Sequence, residues 1–349
     1  MYKKEEYDLI FITNVPSFYK VNLYNEISKK KKIKVIFISQ NSIVRNDDFV
    51  KDDFHFDYVI LNKGNYQNRS KFKSFFMLVH HLVSSKYKYL IYPGWEFLEL
   101  FLLSFMLSKQ KNALIIESSI YETVTTGYKW FFKRIYLGNM SLAFPSGKLQ
   151  RDILELAKFK GEINYTHGVG LFNFKKEIEI QVAKRKPQEL KFLYVGRLSP
   201  EKNLELLVDV FNVLGLNLTI IGDGPSMSKL VGKSNENIKY KGYVDNLLLE
   251  KIYTEHDVFI LPSISEPWGL VVEEALAKGL PVIVSNKVGC LSDLVTNYES
   301  GTVFMFNEQK SLIKAIEKMI FNYSYYKGNV QKIDFNKRNE AQVMCYLSI

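Results

Sequence analysis

Phe192-Leu193-Tyr194-Val195-Gly196-Arg197-Leu198-Ser199-Pro200-Glu201-Lys202-Asn203 runs from an apolar strand, through a glycine turn, to the start of a helical stretch at Leu204–Leu214. That order is a βα unit, in which a buried strand feeds a helix that packs back on the sheet. Downstream, apolar runs at Leu218–Ile221, Ile238–Tyr240, Val258–Leu261, Val282–Val284 and Val303–Phe306 read as further strands, and Leu270–Lys278 as a helix. Upstream, strands are expected at Asp8–Thr13, Lys34–Ser39, Tyr58–Leu61, Tyr89–Tyr92, Ala113–Ile116 and Leu142–Phe144, with helices at Phe18–Ser28 and Ser74–Ser84. Two successive series of this kind predict an α/β chain of two Rossmann-like domains facing across a cleft, with ligands beyond the carboxyl ends of the strands.

The expected boundaries are 1–172, a linker over 173–189, 190–326, and a tail over 327–349. The linker is charged, aperiodic and contains Pro187; the tail is polar with scattered aromatics and a candidate to pack back on the first domain. At 349 residues and 47% apolar, the chain can bury a core in each half, which argues against disorder. Of the net charge of +10, residues 1–172 carry 25 basic against 16 acidic side chains, so the excess sits in the first half. Such a half suits an anionic partner such as a membrane surface, or is simply a lysine-rich solvated face. Cys290 and Cys345 fit neither a metal spacing nor a disulfide framework, which suits a reducing compartment. The apolar run after Met1–Asp8 is too short for a signal peptide, and Tyr89–Ser108 is interrupted by Pro93, Gly94, Glu96 and Glu99, so no transmembrane helix is expected. A cytoplasmic location follows, with peripheral contact to the membrane from that side as an extension.

Three motifs carry chemistry. In the first, Gly196 lets a ligand approach the backbone, Arg197 offers a planar fork to phosphate oxygens, and Lys202 adds a mobile charge. In the second, Leu261-Pro262-Ser263-Ile264-Ser265-Glu266-Pro267-Trp268-Gly269-Leu270-Val271-Val272-Glu273-Glu274, a strand runs into a helix mouth. Pro267 is expected in the first helical turn, and free N–H groups at Gly269, Leu270 and Val271 suit an anion. Glu266 and Glu274 could each accept paired hydroxyl hydrogen bonds; the plainer alternative has Glu266 capping and Glu273 and Glu274 facing water. The third, Gly222-Asp223-Gly224-Pro225, is a tight turn after a strand. The patterns of dinucleotide-binding and P-loop enzymes are absent.

In combination and order, over residues 190–300, these motifs resemble glycosyltransferase family 4. The resemblance implies the GT-B fold, with an acceptor-binding first domain and a nucleotide-sugar-binding second domain. It also implies transfer with retention of anomeric configuration, with no metal and no cofactor. It implies catalytic roles for Arg197, Lys202 and Glu266, and donor contacts for Gly196, Gly222, Trp268, Gly269, Leu270, Val271 and Glu274. The donor would be a UDP-sugar or a GDP-sugar and the acceptor a glycan or lipid-linked saccharide. Thr13-Asn14-Val15-Pro16-Ser17-Phe18-Tyr19 replaces the usual glycine-rich loop and resembles a subgroup that builds bacterial surface polysaccharides. Glu117, where many members have His, and Trp95 in Gly94-Trp95-Glu96 are acceptor-side candidates; a capping carboxylate and a core indole are the plainer readings. Gly170 stands in His167-Gly168-Val169-Gly170 where Asp is usual.

Lysines and arginines interleave with large aromatics in Tyr128–Tyr136 and Lys71–Phe76, a pattern suited to anionic lipid; the plainer reading has the aromatics in the core and the lysines on the surface. Asp47, Asp48, Asp52 and Asp53 lack a calcium-loop spacing and read as a solvated loop. A nucleotide-sugar epimerase of the same architecture and a non-catalytic polyanion binder are the competing functions. No nucleic-acid-binding signature occurs, so nucleic acid is not expected as a partner.

Overall fold

A computed structural model describes residues 4–43, 53–95, 98–172 and 189–349. The chain divides into two compact units, Met1–Asn173 with Asn336–Ile349, and Phe174–Phe335. The expected linker, apart from Glu189, lies outside the described residues, as do Asp47, Asp48, Asp52 and Glu96.

In the first unit, β1 (Glu5–Thr13), β2 (Ile33–Asn41), β3 (Asp57–Asn65), β4 (Ser85–Tyr92), β5 (Asn112–Ile116), β6 (Leu142–Pro145) and β7 (Glu162–Ile163) form one sheet in the order β3-β2-β1-β4-β5-β6-β7. Every pairing is parallel. Central strands buried on both faces must be apolar on both, and Leu9, Ile10, Phe11 and Ile12 are all buried. Leu78 and Leu82 of α2 (Lys71–Val83), Leu100 and Leu103 of α3 (Leu98–Met106), Tyr136 of α4 (Gly127–Gly138) and Ile153 of α5 (Lys148–Leu156) pack on one face. The other face is covered by α1 (Phe18–Ser28) and by α12 (Phe335–Leu347). The two-residue β7 is too short to show in an apolar pattern.

In the second unit, β8 (Lys191–Val195), β9 (Asn217–Ile221), β10 (Ile238–Tyr240), β11 (Val258–Leu261), β12 (Val282–Ser285) and β13 (Gly301–Phe304) lie parallel in the order β10-β9-β8-β11-β12-β13. Its helices are α6 (Leu204–Leu214), α7 (Met227–Lys233), α8 (Asn246–Thr254), α9 (Leu270–Ala277), α10 (Gln309–Phe321) and α11 (Tyr323–Gln331). The last strand begins two residues earlier than expected. Gly301 lies so close to Val282 that a Cβ there would fall 1.8 Å from the Val282 carbonyl oxygen, so a glycine opens the strand.

The chain builds outward from β8 to β9 and β10, then returns to place β11 on the other side of β8. Loops leaving β8 and β11 therefore diverge at the point where strand order reverses, which leaves a crevice at the carboxyl ends. The tail divides differently from the expected boundary. Residues 327–335 stay with the second unit, where buried Lys327 donates to the Gly279 carbonyl oxygen at 2.8 Å. Residues 336–349 join the first unit, where Tyr346 stacks on Phe144 with ring centroids 4.5 Å apart. Gly170 has φ 83, and a Cβ there would lie 2.1 Å from Gln342 Oε1 of α12, so the returning helix accounts for a glycine at this turn.

Candidate functional site

The floor of the crevice is backbone. The turn after β9 lies directly on the turn after β8: Leu198 N–H donates to the Asp223 carbonyl at 2.8 Å, and Gly222 has φ 129. A Cβ on Gly222 would stand 1.9 Å from the Gly196 carbonyl oxygen, so the two turns meet only because that side chain is absent. Beneath them the buried Tyr194 hydroxyl donates to the Arg197 carbonyl at 2.9 Å and sets the course of the loop.

Two cations stand above this floor, each holding an acid. Arg197 Nη2 donates to Glu201 Oε1 at 2.6 Å, and Ser199 Oγ donates to the same oxygen at 2.6 Å. Partial burial works against ionisation of Glu201, but the hydrogen bonds from Ser199 and Arg197 outweigh it and lower its carboxyl to about 2. Lys202 closes a short 3-10 turn whose last residue hands over to Asn203, held left-handed at φ 56 by side-chain bonds to the Pro262 and Phe306 carbonyls. That handover aims Lys202 across the crevice, where its Nζ donates to Glu266 Oε2 at 2.5 Å. Ser263 Oγ donates to the same carboxylate oxygen at 3.1 Å. Lys202 and Glu266, each a site candidate from its own motif and 64 residues apart in the chain, thus meet directly.

Glu266 is fixed by its backbone as well, through a parallel bridge to Val288 in which Gly289 N–H donates to the Glu266 carbonyl at 3.0 Å. The helix α9 begins at Leu270, as the apolar pattern predicts, with Gly269, at φ 97, as its N-cap; the expectation that Pro267 stands in the first turn fails, since Pro267 precedes the helix. The N–H groups of Leu270 and Val271 have no helical carbonyl behind them and carry the positive end of the helix dipole. Trp268 does not present its ring to a ligand. It is buried, and its indole N–H donates at 2.9 Å to Glu273, a carboxylate that is buried too instead of facing water. The tryptophan acts as an anchor beneath the turn.

Glu274, on the next position of the helix, keeps partial solvent access and receives a hydrogen bond from the Tyr253 hydroxyl at 3.1 Å. Burial of the carboxylate raises its pKa to about 7; the Tyr253 hydrogen bond opposes the rise and the Glu273 charge adds to it. Among the described residues, no cluster of three or more His, Cys, Asp or Glu side chains has the placement of metal ligands.

In the first unit the two acceptor-side candidates part company. Glu117 follows β5 and pairs with Lys20 of α1 at 3.2 Å. Burial alone would lower the Lys20 ammonium, but Glu117, with Tyr19 and Tyr24, raises it above its ordinary value. Trp95 follows β4 but packs among the α2–α4 core side chains with Lys133 over its ring at 5.0 Å. In the first unit the buried hydroxyl oxygens of Ser17, Ser39, Ser119 and Thr123 have no hydrogen-bond partner among the described residues.

Sequence reading did not single out Tyr194, Glu201, Asn203, Ser263, Tyr253, Glu273 or Lys20. Tyr194, Glu201 and Asn203 lie within the first motif and Ser263 and Glu273 within the second, where they make short-range contacts; Tyr253 and Lys20 act across the fold and leave no local signal.

Residues 175–332 match the family model described as Glycosyl transferases group 1. A sulfoquinovosyl transferase of Arabidopsis thaliana is 35% identical over 137 residues, 38% of this chain and 26% of that protein. The matched stretch spans less than half the length of the curated relatives. Among solved structures, sucrose-phosphate synthase from Thermosynechococcus elongatus superimposes with TM-score 0.72 at 18% identity, covering 99% of this chain and 97% of that one. Anabaena HepE in complex with UDP gives TM-score 0.70 at 15% identity, covering 98% and 100%. These likenesses show the fold: two parallel-sheet Rossmann-like domains of the GT-B type.

Proposed function

We propose that this chain transfers a sugar from a nucleotide-sugar donor, held by the second unit, to a hydroxyl of a glycan or lipid-linked acceptor recognised by the first. The observation that carries the reading is the Lys202–Glu266 pair beside the N-terminus of α9, where the loops from β8 and β11 diverge. The family match over the same unit supports it.

The donor diphosphate lies between Arg197, Lys202 and the first-turn N–H groups of α9. As the anomeric carbon–oxygen bond breaks, its electron pair moves to the leaving phosphate, and the two cations stabilise that charge where it grows. The acceptor oxygen bonds to the anomeric carbon on the face the phosphate leaves, and its proton passes to the departing phosphate. This is retention, and the residues named do it without a metal or cofactor. Glu266 accepts hydrogen bonds from the donor sugar hydroxyls and Glu274 from the ribose. Gly196, Gly222 and Gly269 keep the backbone close. On the acceptor side, Glu117, held by Lys20, suits saccharide hydroxyls, and Trp95 shapes the surroundings through packing. UDP-sugars are the first donors to test, since HepE was solved with UDP, with GDP-sugars second. We place the reaction in bacterial surface polysaccharide synthesis on the cytoplasmic side, a hexosyl transfer.

A product assay over a panel of nucleotide sugars and saccharide acceptors tests this. The expected result is release of nucleoside diphosphate that depends on acceptor and accompanies a new glycoside. Conversion of the sugar nucleotide into its epimer without a glycoside would assign the competing activity instead.

A further inference from the structure

We propose that the outer surface of α2, α3 and α4 in the first unit docks on an anionic lipid bilayer. The inference stands on this face alone and does not depend on the transfer reaction. These three helices share one face of the seven-stranded sheet, bury Leu78, Leu82, Leu100, Leu103 and Tyr136 against it, and are neighbours: Phe101 of α3 lies within ring contact of Phe132 and Tyr136 of α4. A helix in that position should be polar on its outer side. Here the outer side keeps Phe72 at 80% exposure, Phe76 at 67%, Met106 at 60%, Tyr128 at 71% and Phe131 at 60%. Large exposed apolar side chains gathered on neighbouring helices are uncommon on a soluble monomer and point to an interaction site.

The charges select the partner. Lys71 and Lys73 of α2 and Lys129 and Arg134 of α4 are exposed among the aromatics, and neither helix contains an acid. The one acid of α3, Glu99, has a side chain 1% exposed and is paired with Arg69 at 2.7 Å. The surface is therefore apolar and cationic without an exposed carboxylate on any of its three helices. A second copy of this chain is disfavoured, because a two-fold interface would set the same cations against each other. Single-stranded nucleic acid would use the rings as stacking platforms but has no use for exposed Leu98, Leu102 and Met106. A bilayer interface takes rings and aliphatic chains in its outer acyl region and lysines at the headgroups. Among the described residues no helix is long and apolar enough to cross a membrane, so the contact proposed is with the surface.

Flotation of the full chain with vesicles tests this, using phosphatidylcholine alone and phosphatidylcholine with about one-third phosphatidylglycerol. The expected recovery is at least about tenfold greater with the anionic vesicles and falls with added salt. Two variants confined to exposed positions, Lys71→Glu with Lys73→Glu and Phe72→Ser with Phe131→Ser, are each expected to lose that recovery while keeping the wild-type circular dichroism spectrum. Equal recovery of the wild type in both vesicle types overturns the proposal, as does undiminished flotation of both variants. Concentration-dependent dimerisation of the wild type that either variant abolishes would assign the face to self-association and also overturn it.

Discussion

The cations proposed to bind the donor are already engaged. Lys202 holds Glu266 and Arg197 holds Glu201, so a diphosphate must compete with two carboxylates, and removing either cation leaves its acid behind to repel the ligand. Glu274 is the residue with the clearest pH signature. Its carboxyl, raised to about 7, binds protons in the folded state that the unfolded chain has released, so its contribution to stability falls as pH rises from its ordinary range through 7. Binding runs the other way, because a ribose diol needs the carboxylate. A nucleotide sugar, whose diphosphate is esterified at both ends and does not titrate here, should bind roughly tenfold more weakly at pH 6 than at pH 8. Glu274→Gln should bind weakly at both. Calorimetric titration at the two pH values checks this, and a glutamine variant that keeps the wild-type pH slope would remove Glu274 from the ribose site.

At the scale of elements, the crevice depends on two turns in backbone contact. Gly222→Ala would force a Cβ against the Gly196 carbonyl at a positive φ and should cost on the order of 3 kcal/mol. Gly232→Ala, inside α7 where an added Cβ meets nothing within 4 Å, should stabilise by about 0.5–1 kcal/mol. Trp268 is the one tryptophan of the second unit, so urea unfolding followed by fluorescence with Trp95 and Trp130 replaced by Phe reads both changes. Shifts of the same sign would contradict the packing described. The strands were legible in the sequence because a parallel sheet buried on both faces needs unbroken apolar runs such as Phe192–Val195 and Val258–Leu261. The place of Pro267 was not, because proline suits a first turn as readily as the approach to one. The bond from Cys290 N–H to the Trp268 carbonyl and the left-handed Gly269 hold Pro267 outside the helix.

For the molecule as a whole, two Rossmann-like units were legible from alternation, and the motifs at the β8 and β11 loops contain the residues proposed to bind the donor. What sequence could not supply was contact at long range. Tyr253 over Glu274, Lys20 on Glu117 and Tyr346 on Phe144 join residues whose own neighbourhoods look ordinary. The buried Trp268 shows the opposite case, a residue inside a strong motif whose ring serves the fold. The cationic surplus of the first half is partly gathered on the α2–α4 face, leaving the second unit near neutral apart from the cations at its site. The central claim is that Arg197 and Lys202 jointly hold a nucleoside diphosphate, and calorimetric titration of UDP and GDP tests it most directly. The account predicts that the wild type binds one of them and that Arg197→Ala and Lys202→Ala each weaken it by roughly 10- to 100-fold with the fold intact. Wild-type affinity in both variants, or a wild type that binds neither nucleotide, would contradict it.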